Sequence, residues 1–390
     1  MKNQILNQMS HKKDELIKFT QELVSIKSYS GNEEKVVKHI AEKMKELGYD
    51  EVIIDSMGNI FGKIGNGKKI IMFDSHIDTV EVKDESKWEV PPFSGEIVDG
   101  RLYGRGSVDM KSGAAASVYA GAIAKELGLA EDKTILVSCT VFEEDCDGEN
   151  LKHLFEEYNI KPDYFITCEP SNNKIVTGHK GKAQITIKTK GVSAHGSAPE
   201  KGKNAIYEMA EIIQRVEKTN EELMKMDGPK RTLVMSNISS VSVSLNAVPS
   251  ECEVYLDRRM VLGETEESIK KEMGRIIEGK NAVWEIGTIS RTSWKGMPIT
   301  YQPFHLAWEI DLNHELSKAC IHSYREILGS EPEYDFWDFS TNAVTPVSMG
   351  IPSIGFGPGE YKLAHMTNEN CKVDQIVEAC SFYANLIHAL

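Results

Sequence analysis

Ile70-Ile71-Met72-Phe73 is an unbroken apolar run that passes straight into Asp74-Ser75-His76-Ile77-Asp78. A continuous apolar strand of this kind is covered on both faces, so the rest of the chain must supply a layer above it and a layer below. At its end the run delivers a histidine and a carboxylate two residues apart, His76 and Asp78. In extended backbone the two point to the same side. A glycine-punctuated turn, Gly104-Arg105-Gly106-Ser107-Val108, then presents Asp109 just ahead of the alanine-rich helical segment Ser112–Leu127, closed by Gly128. A strand end and a helix start that converge in this way gather side chains of metal-ligand type.

The pattern recurs. Thr134–Phe142 is a second buried-strand candidate and runs into Glu143-Glu144-Asp145; Tyr164–Cys168 is a third and ends at Glu169. Helical periodicity covers residues 4–25, Val36–Leu47 and Glu149–Tyr158, and short strand-like runs occupy Glu51–Asp55 and Asn59–Ile64. Strands and helices that alternate in this order predict an α/β fold whose sheet carries helices on both faces. In such sheets sites collect at the C-terminal ends of the strands, which is where His76, Glu143 and Glu169 fall.

The texture changes near Lys182. Half-wet strand patterns (Ala183–Lys190, Thr232–Leu245, Ser250–Arg258, Ala282–Ile289) alternate with helical stretches at Lys203–Leu223 and Glu266–Gly279. This β-α-β-β-α-β order predicts a small α+β sandwich inserted into the first domain. Residues 1–181 and 297–390 are therefore assigned to a catalytic domain, and 182–296 to a lid; two domains suit a chain of 390 residues.

The net charge of −14 disfavours nucleic acid and anionic membrane as partners. No apolar run approaches the ~20 residues of a membrane span, and the first helical pattern contains Lys12, Lys13, Asp14 and Glu15, unlike a signal peptide. Seven scattered cysteines without a Cys-x-x-Cys fit a reduced cytoplasm. The residues with chemistry to offer are His76, Asp109, Glu144, Glu169 and His365. Singly each reads as a cap, a surface group or a satisfied buried polar group. Together, beside buried strand ends, they need cations, because clustered carboxylates there would otherwise be costly. Nitrogen and oxygen donors without thiolate suit zinc, or manganese and cobalt.

The chain resembles the co-catalytic dizinc peptidase family of acetylornithine deacetylase, succinyl-diaminopimelate desuccinylase, glutamate carboxypeptidase and aminoacylase. The matching segments are Ser75-His76-Ile77-Asp78, Gly104–Lys111, Glu143-Glu144, Cys168-Glu169-Pro170, Ser193–Pro199, and Gly357-Pro358-Gly359 with Ala364-His365, in family order along nearly the whole chain. The resemblance implies two Zn2+ per subunit, replaceable by Co2+ or Mn2+. Asp109 would bridge them, His76 and Glu169 would complete one site, and Glu144 and His365 the other. It also implies a cis peptide after Asp109, Asp78 as the carboxylate that orients His76, Glu143 as general base, and His195 as the group that stabilises the oxyanion, supplied by the partner subunit in dimeric members. Asn246, Thr341, Gly357 and Gly359 would contact substrate, and Arg259 would hold its carboxylate. Arg258 stands beside Arg259, and alternation along a strand sends the two to opposite faces.

Two features separate this chain from familiar members. Glu144-Asp145-Cys146-Asp147-Gly148 is more acidic than the family pattern, and Ser340-Thr341-Asn342 replaces the residues often found near substrate, with Trp337 and Phe339 beside it as an apolar wall. A carboxylate at Glu169 disfavours a carbamoyl substrate, since similar carbamoyl hydrolases use histidine there. The chain also looks like a branch linked to selenium metabolism, although no residue implies selenium chemistry. The resulting expectation is a cytoplasmic deacetylase or deacylase of a small N-acyl amino acid with a free carboxylate, forming a homodimer through the lid. A dipeptidase or carboxypeptidase on the same scaffold is the alternative, and a non-catalytic binding protein the more remote one.

Overall fold

A computed structural model describes the whole chain, Met1–Leu390. A mixed nine-stranded sheet runs in the order Glu51–Ile54, Ile60–Ile64, Lys133–Thr140, Lys69–His76, Tyr164–Thr167, Ser353–Gly355, Ile175–His179, Trp308–Glu309, with Tyr334–Trp337 also paired to Ile175–His179. Its centre is parallel: Lys69–His76 lies between Lys133–Thr140 and Tyr164–Thr167, and Ser353–Gly355 pairs with the far side of Tyr164–Thr167.

The apolar run that constrained the fold feeds two cores at once. Ile71 and Phe73 enter the main core of 57 buried residues, while Met72 enters a smaller one on the other face. Ile135 and Val137 against Leu136, and Tyr164 and Ile166 against Phe165, divide in the same way. The side-chain period of two sends alternate residues to opposite faces, and each face meets helices. Lys2–Ser25, Lys111–Glu126, Glu315–Leu328 and Val373–Ala389 pack over the main core. Leu151, Leu154 and Phe155 of the helix Glu149–Tyr158 close the other face. Lys111–Glu126 is alanine-rich because it is buried nearly all round, wedged between Lys2–Ser25 and Val373–Ala389.

The second sheet has the order Thr232–Val241, Glu251–Met260, Gly181–Lys190, Ala282–Ile286, with Phe304–His305 also paired to Gly181–Lys190. Helices Ala205–Lys225 and Glu266–Ile277 cover one face over their own core of 16 buried residues. The expected strand Ala282–Ile289 stops at Ile286; Ile289–Thr292 instead forms a separate hairpin with Pro298–Tyr301, whose Ile299 and Tyr301 sit in the main core. No helix is long and apolar enough to cross a membrane.

Candidate metal centre and active site

Three parallel strands deliver His76, Glu143–Glu144 and Glu169 from their C-terminal ends, the turn ahead of Lys111–Glu126 delivers Asp109, and the segment beyond Ser353–Gly355 delivers His365. His76 closes its strand, and its ring is fixed from behind by the Asp78 backbone carbonyl, 3.0 Å from Nδ1. Its Nε2 lies 2.8 Å from Asp109 Oδ1. The other Asp109 oxygen lies 3.1 Å from His365 Nε2, which is 3.0 Å from Glu144 Oε2. Glu143 Oε2 and Glu169 Oε1 are each 3.8 Å from His76 Nε2. The five expected ligands and Glu143 thus form one cluster in which Asp109 presents one oxygen to each histidine. Ligand atoms of His76, Asp109 and Glu144, and of His76, Glu143 and Glu169, lie within 4.8 Å of one another. The peptide Asp109–Met110 is cis.

The electrostatics show what this donor set needs. Burial pushes the Glu143 and Glu169 carboxyls well above the usual range; the imidazole of His76 opposes this, and neighbouring carboxylates add to it. Glu144 is raised by burial and by Asp109. Burial also penalises ionised Asp109, but hydrogen bonds from His365 and His76 outweigh it and hold this carboxyl low. Hydrogen bonds to Asp109 and Glu144 raise His365 to about 10. Four carboxyl groups therefore compete for two imidazoles, buried His76 and the half-exposed His365, an imbalance that divalent cations relieve. Oxygen and nitrogen donors at this density fit such ions.

Long-range contacts hold the cluster in place. Asp78 is buried, and its carboxylate accepts the backbone N–H groups of Glu143 at 3.1 Å and Glu144 at 3.2 Å, and the Ser30 hydroxyl at 2.7 Å. Its carboxylate is 3.5 Å from His76 Nδ1. The Asp78 backbone carbonyl and carboxylate thus both face Nδ1 of His76, and the same carboxylate also fastens the Glu143–Glu144 turn. Glu369, absent from the candidate list, is fully buried beneath the Asp109 loop. It accepts the N–H groups of Gly106, Val108 and Asp109 at 3.1, 2.8 and 3.1 Å, and pairs with Arg105 at 2.5 Å.

A cavity of about 290 Å³ opens over the cluster, with Asp109, Glu143, Glu144, Glu169 and His365 on its floor and Arg259 in its wall. Arg258 points away, buried between Glu264 at 2.5 Å and Glu272 at 3.0 Å, so the choice between the two arginines falls on Arg259. Four expected substrate contacts, Thr341, Gly357, Gly359 and Asn246, do not line this cavity. Thr341 is buried and its hydroxyl accepts the Ala343 N–H at 3.1 Å; its neighbour Ser340 takes the cavity position. A side chain at Gly357 would collide with the carbonyls of Cys168 and Glu169, and Gly359 adopts φ +97° against Val108. Gly357 is glycine because another backbone approaches closely, and Gly359 because its φ lies in the left-handed region. His195 and Asn246 lie together at a separate surface hollow on the lid. Asp147 and Lys182 also line the cavity; Asp147 lies in the acidic stretch 144–148 that departs from the family pattern, and Lys182 carries no motif that distinguishes it from a surface charge.

Residues 72–389 match the model of peptidase family M20/M25/M40. The chain belongs to this family. It is 37% identical over 384 residues to YgeY of Escherichia coli K12, an uncharacterised protein, covering 97% of this chain and 95% of that one. Among solved structures it superposes on the M20 family metallo-carboxypeptidase Sso-CP2 of Sulfolobus solfataricus with a TM-score of 0.72 at 19% identity, covering 96% of this chain and 98% of that one. It likewise matches YXEP of Bacillus subtilis, described as a dinuclear metal-binding peptidase of the M20 family, at TM-score 0.69 and 14% identity, with 97% and 98% coverage. As an M20/M25/M40 member the protein is a metal-dependent hydrolase acting on amide bonds, and the mixed sheet with an inserted α+β unit is the fold of these relatives.

Proposed function

We propose that the protein hydrolyses the amide bond of a small N-acyl amino acid that carries a free carboxylate, as a deacetylase or deacylase. One observation carries this reading: the cavity has the ligand cluster as its floor and the guanidinium of Arg259 in its wall. Its volume suits a compact substrate. Two zinc ions, or cobalt or manganese, would be held by His76, Asp109, Glu144, Glu169 and His365, and when bound they polarise the scissile carbonyl and acidify a water.

Glu143 then acts on protons. Its carboxylate lies at the edge of the cluster, 3.8 Å from His76, on a turn pinned by Asp78. It takes a proton from the attacking water and returns it to the leaving nitrogen. Arg259 pairs with the substrate carboxylate, and the planar guanidinium favours two-point contact. His195 and Asn246 face outward in this chain, so they act on the site of a second copy, His195 as the donor to the developing oxyanion.

A homodimer through the lid accounts for the apolar edge of the second sheet. Val234, Ile238, Val241, Val243 and Leu245 are 49–105% exposed along and just beyond the edge strand Thr232–Val241. An uncovered edge of that kind invites pairing with another copy. All seven cysteines are free and buried, in keeping with work in the cytoplasm.

The test is Glu143→Gln. The variant should keep its metal content by elemental analysis and lose ~10²- to 10⁴-fold in turnover; wild-type turnover would remove the base from the mechanism. The relationship to a metallo-carboxypeptidase fold supports a second reading, cleavage of dipeptides or of a C-terminal residue. A panel of N-acetyl amino acids against dipeptides separates the two.

A further inference from the structure

Lys182 and Arg259 are direct partners across the antiparallel pair Gly181–Lys190 and Glu251–Met260. Their side chains therefore leave the sheet on the same face, side by side, and both reach the cavity over the ligand cluster. Like charges opposite one another on a sheet repel, and each is compensated by its own acid. Arg259 Nε and Nη2 donate to Asp257 at 2.7 and 3.2 Å. Lys182 Nζ donates to Asp147 at 2.5 Å.

Asp147 is itself held fast. It is buried and accepts the Ser340 hydroxyl at 2.5 Å and the Tyr301 hydroxyl, and Tyr301 lies 2.6 Å from His305 Nε2. Because the Tyr301 proton goes to Asp147, His305 donates to the Tyr301 oxygen. The ammonium of Lys182 is thus fixed by a chain of satisfied groups rather than left to wander. Yet donors remain unused on the cavity side: one N–H of Lys182 meets Asp147, and Nη1 of Arg259 meets no protein acceptor.

We propose that Lys182 is a second anchor for the substrate carboxylate, one oxygen going to Lys182 and the other to Arg259, with Asp147 as the residue that positions Lys182. The proposal rests on the reading of Arg259 given above and deepens it. A site with two fixed cations selects an anionic group over a neutral one of the same shape, because the neutral group leaves both donors poorly compensated.

The experiment compares metal-loaded wild type, Lys182→Met and Asp147→Asn with a panel of N-acetyl-L-amino acids and their carboxamides, by calorimetric titration and by hydrolysis. Wild type should prefer the carboxylates. Lys182→Met should weaken carboxylate binding ~10- to 100-fold, the equivalent of one charge-assisted hydrogen bond, leave carboxamide binding nearly as it was, and place its kinetic loss mainly in KM. Asp147→Asn should shift in the same direction by less, and it carries the test should Lys182→Met not fold. Undiminished carboxylate preference in these variants, or no preference in wild type, overturns the proposal. A wild type that binds carboxylates selectively yet hydrolyses none of the panel would instead remove the deacylase reading and leave the anchor in place.

Discussion

Replacement of Asp78 by asparagine is the sharpest probe of how this site is held. The buried carboxylate accepts three hydrogen bonds, from the N–H groups of Glu143 and Glu144 and from the Ser30 hydroxyl. Each N–H reaches a different oxygen, so an amide of the same shape must turn its NH2 toward one of them, donor against donor. One charge-assisted bond is lost, ~1.5–3 kcal/mol, and a buried N–H is left without a partner, ~1–3 kcal/mol. Removal of one negative charge from a crowded acidic cluster offsets part of this, so a net cost of about 3 kcal/mol is expected. At ~2.1 cal/mol/K per residue, unfolding 390 residues carries an entropy of about 0.8 kcal/mol/K, which converts that cost to a fall in Tm of ~4 °C. Calorimetric unfolding of the metal-loaded protein reads it directly. The same turn carries the proposed base Glu143 and the proposed ligand Glu144, so metal content and turnover should fall together. An Asp78→Asn protein with wild-type Tm, metal content and turnover would refute the idea that this carboxylate fastens the turn.

Gly357→Ala should strike Glu169 from behind, since the added carbon collides with the Cys168 and Glu169 carbonyls. A loss of ~1–3 kcal/mol in denaturant unfolding is expected, with one metal bound less tightly. Glu33 is fully buried, and burial first, then the charge of Asp78, raises its carboxyl to about 8. Its contribution to stability is complete below the ordinary carboxyl pKa and disappears as pH rises through about 8. Glu33→Gln is neutral at every pH, so it should gain on wild type as denaturation midpoints are followed up to about pH 9; parallel curves would refute the shift. Val241→Lys, on the exposed apolar edge, should turn a dimer into a monomer in sedimentation and reduce turnover with it. A monomeric wild type would end both the dimer and the trans role of His195.

The sequence by itself pointed to a metal centre. His76, Asp109, Glu143, Glu144 and Glu169 sit beside local signals, an apolar run that stops at a charge or a glycine turn before a helix, whereas His365 came only from the family resemblance. The core patterns that set those signals also place strand ends together, and the cluster follows. Arg259 was legible down to a choice of two, because alternation along one strand guarantees that neighbours diverge and only the position of Glu264 and Glu272 shows which of them is inward.

What the tertiary structure alone decided is how the centre is held and what surrounds it. Glu369 meets the Asp109 loop across about 260 residues of chain, and Asp147 meets Lys182, Tyr301 and Ser340 from three distant segments. Neither has a local signature of those partners, because an acid in a loop reads the same whether it faces water or a buried N–H. The glycines expected at the substrate, Gly357 and Gly359, lacked a decisive local signal for a related reason. A glycine marks backbone conformation or close approach, and only packing shows whether the approaching group is a ligand or, as at Gly357, the strand that carries Glu169.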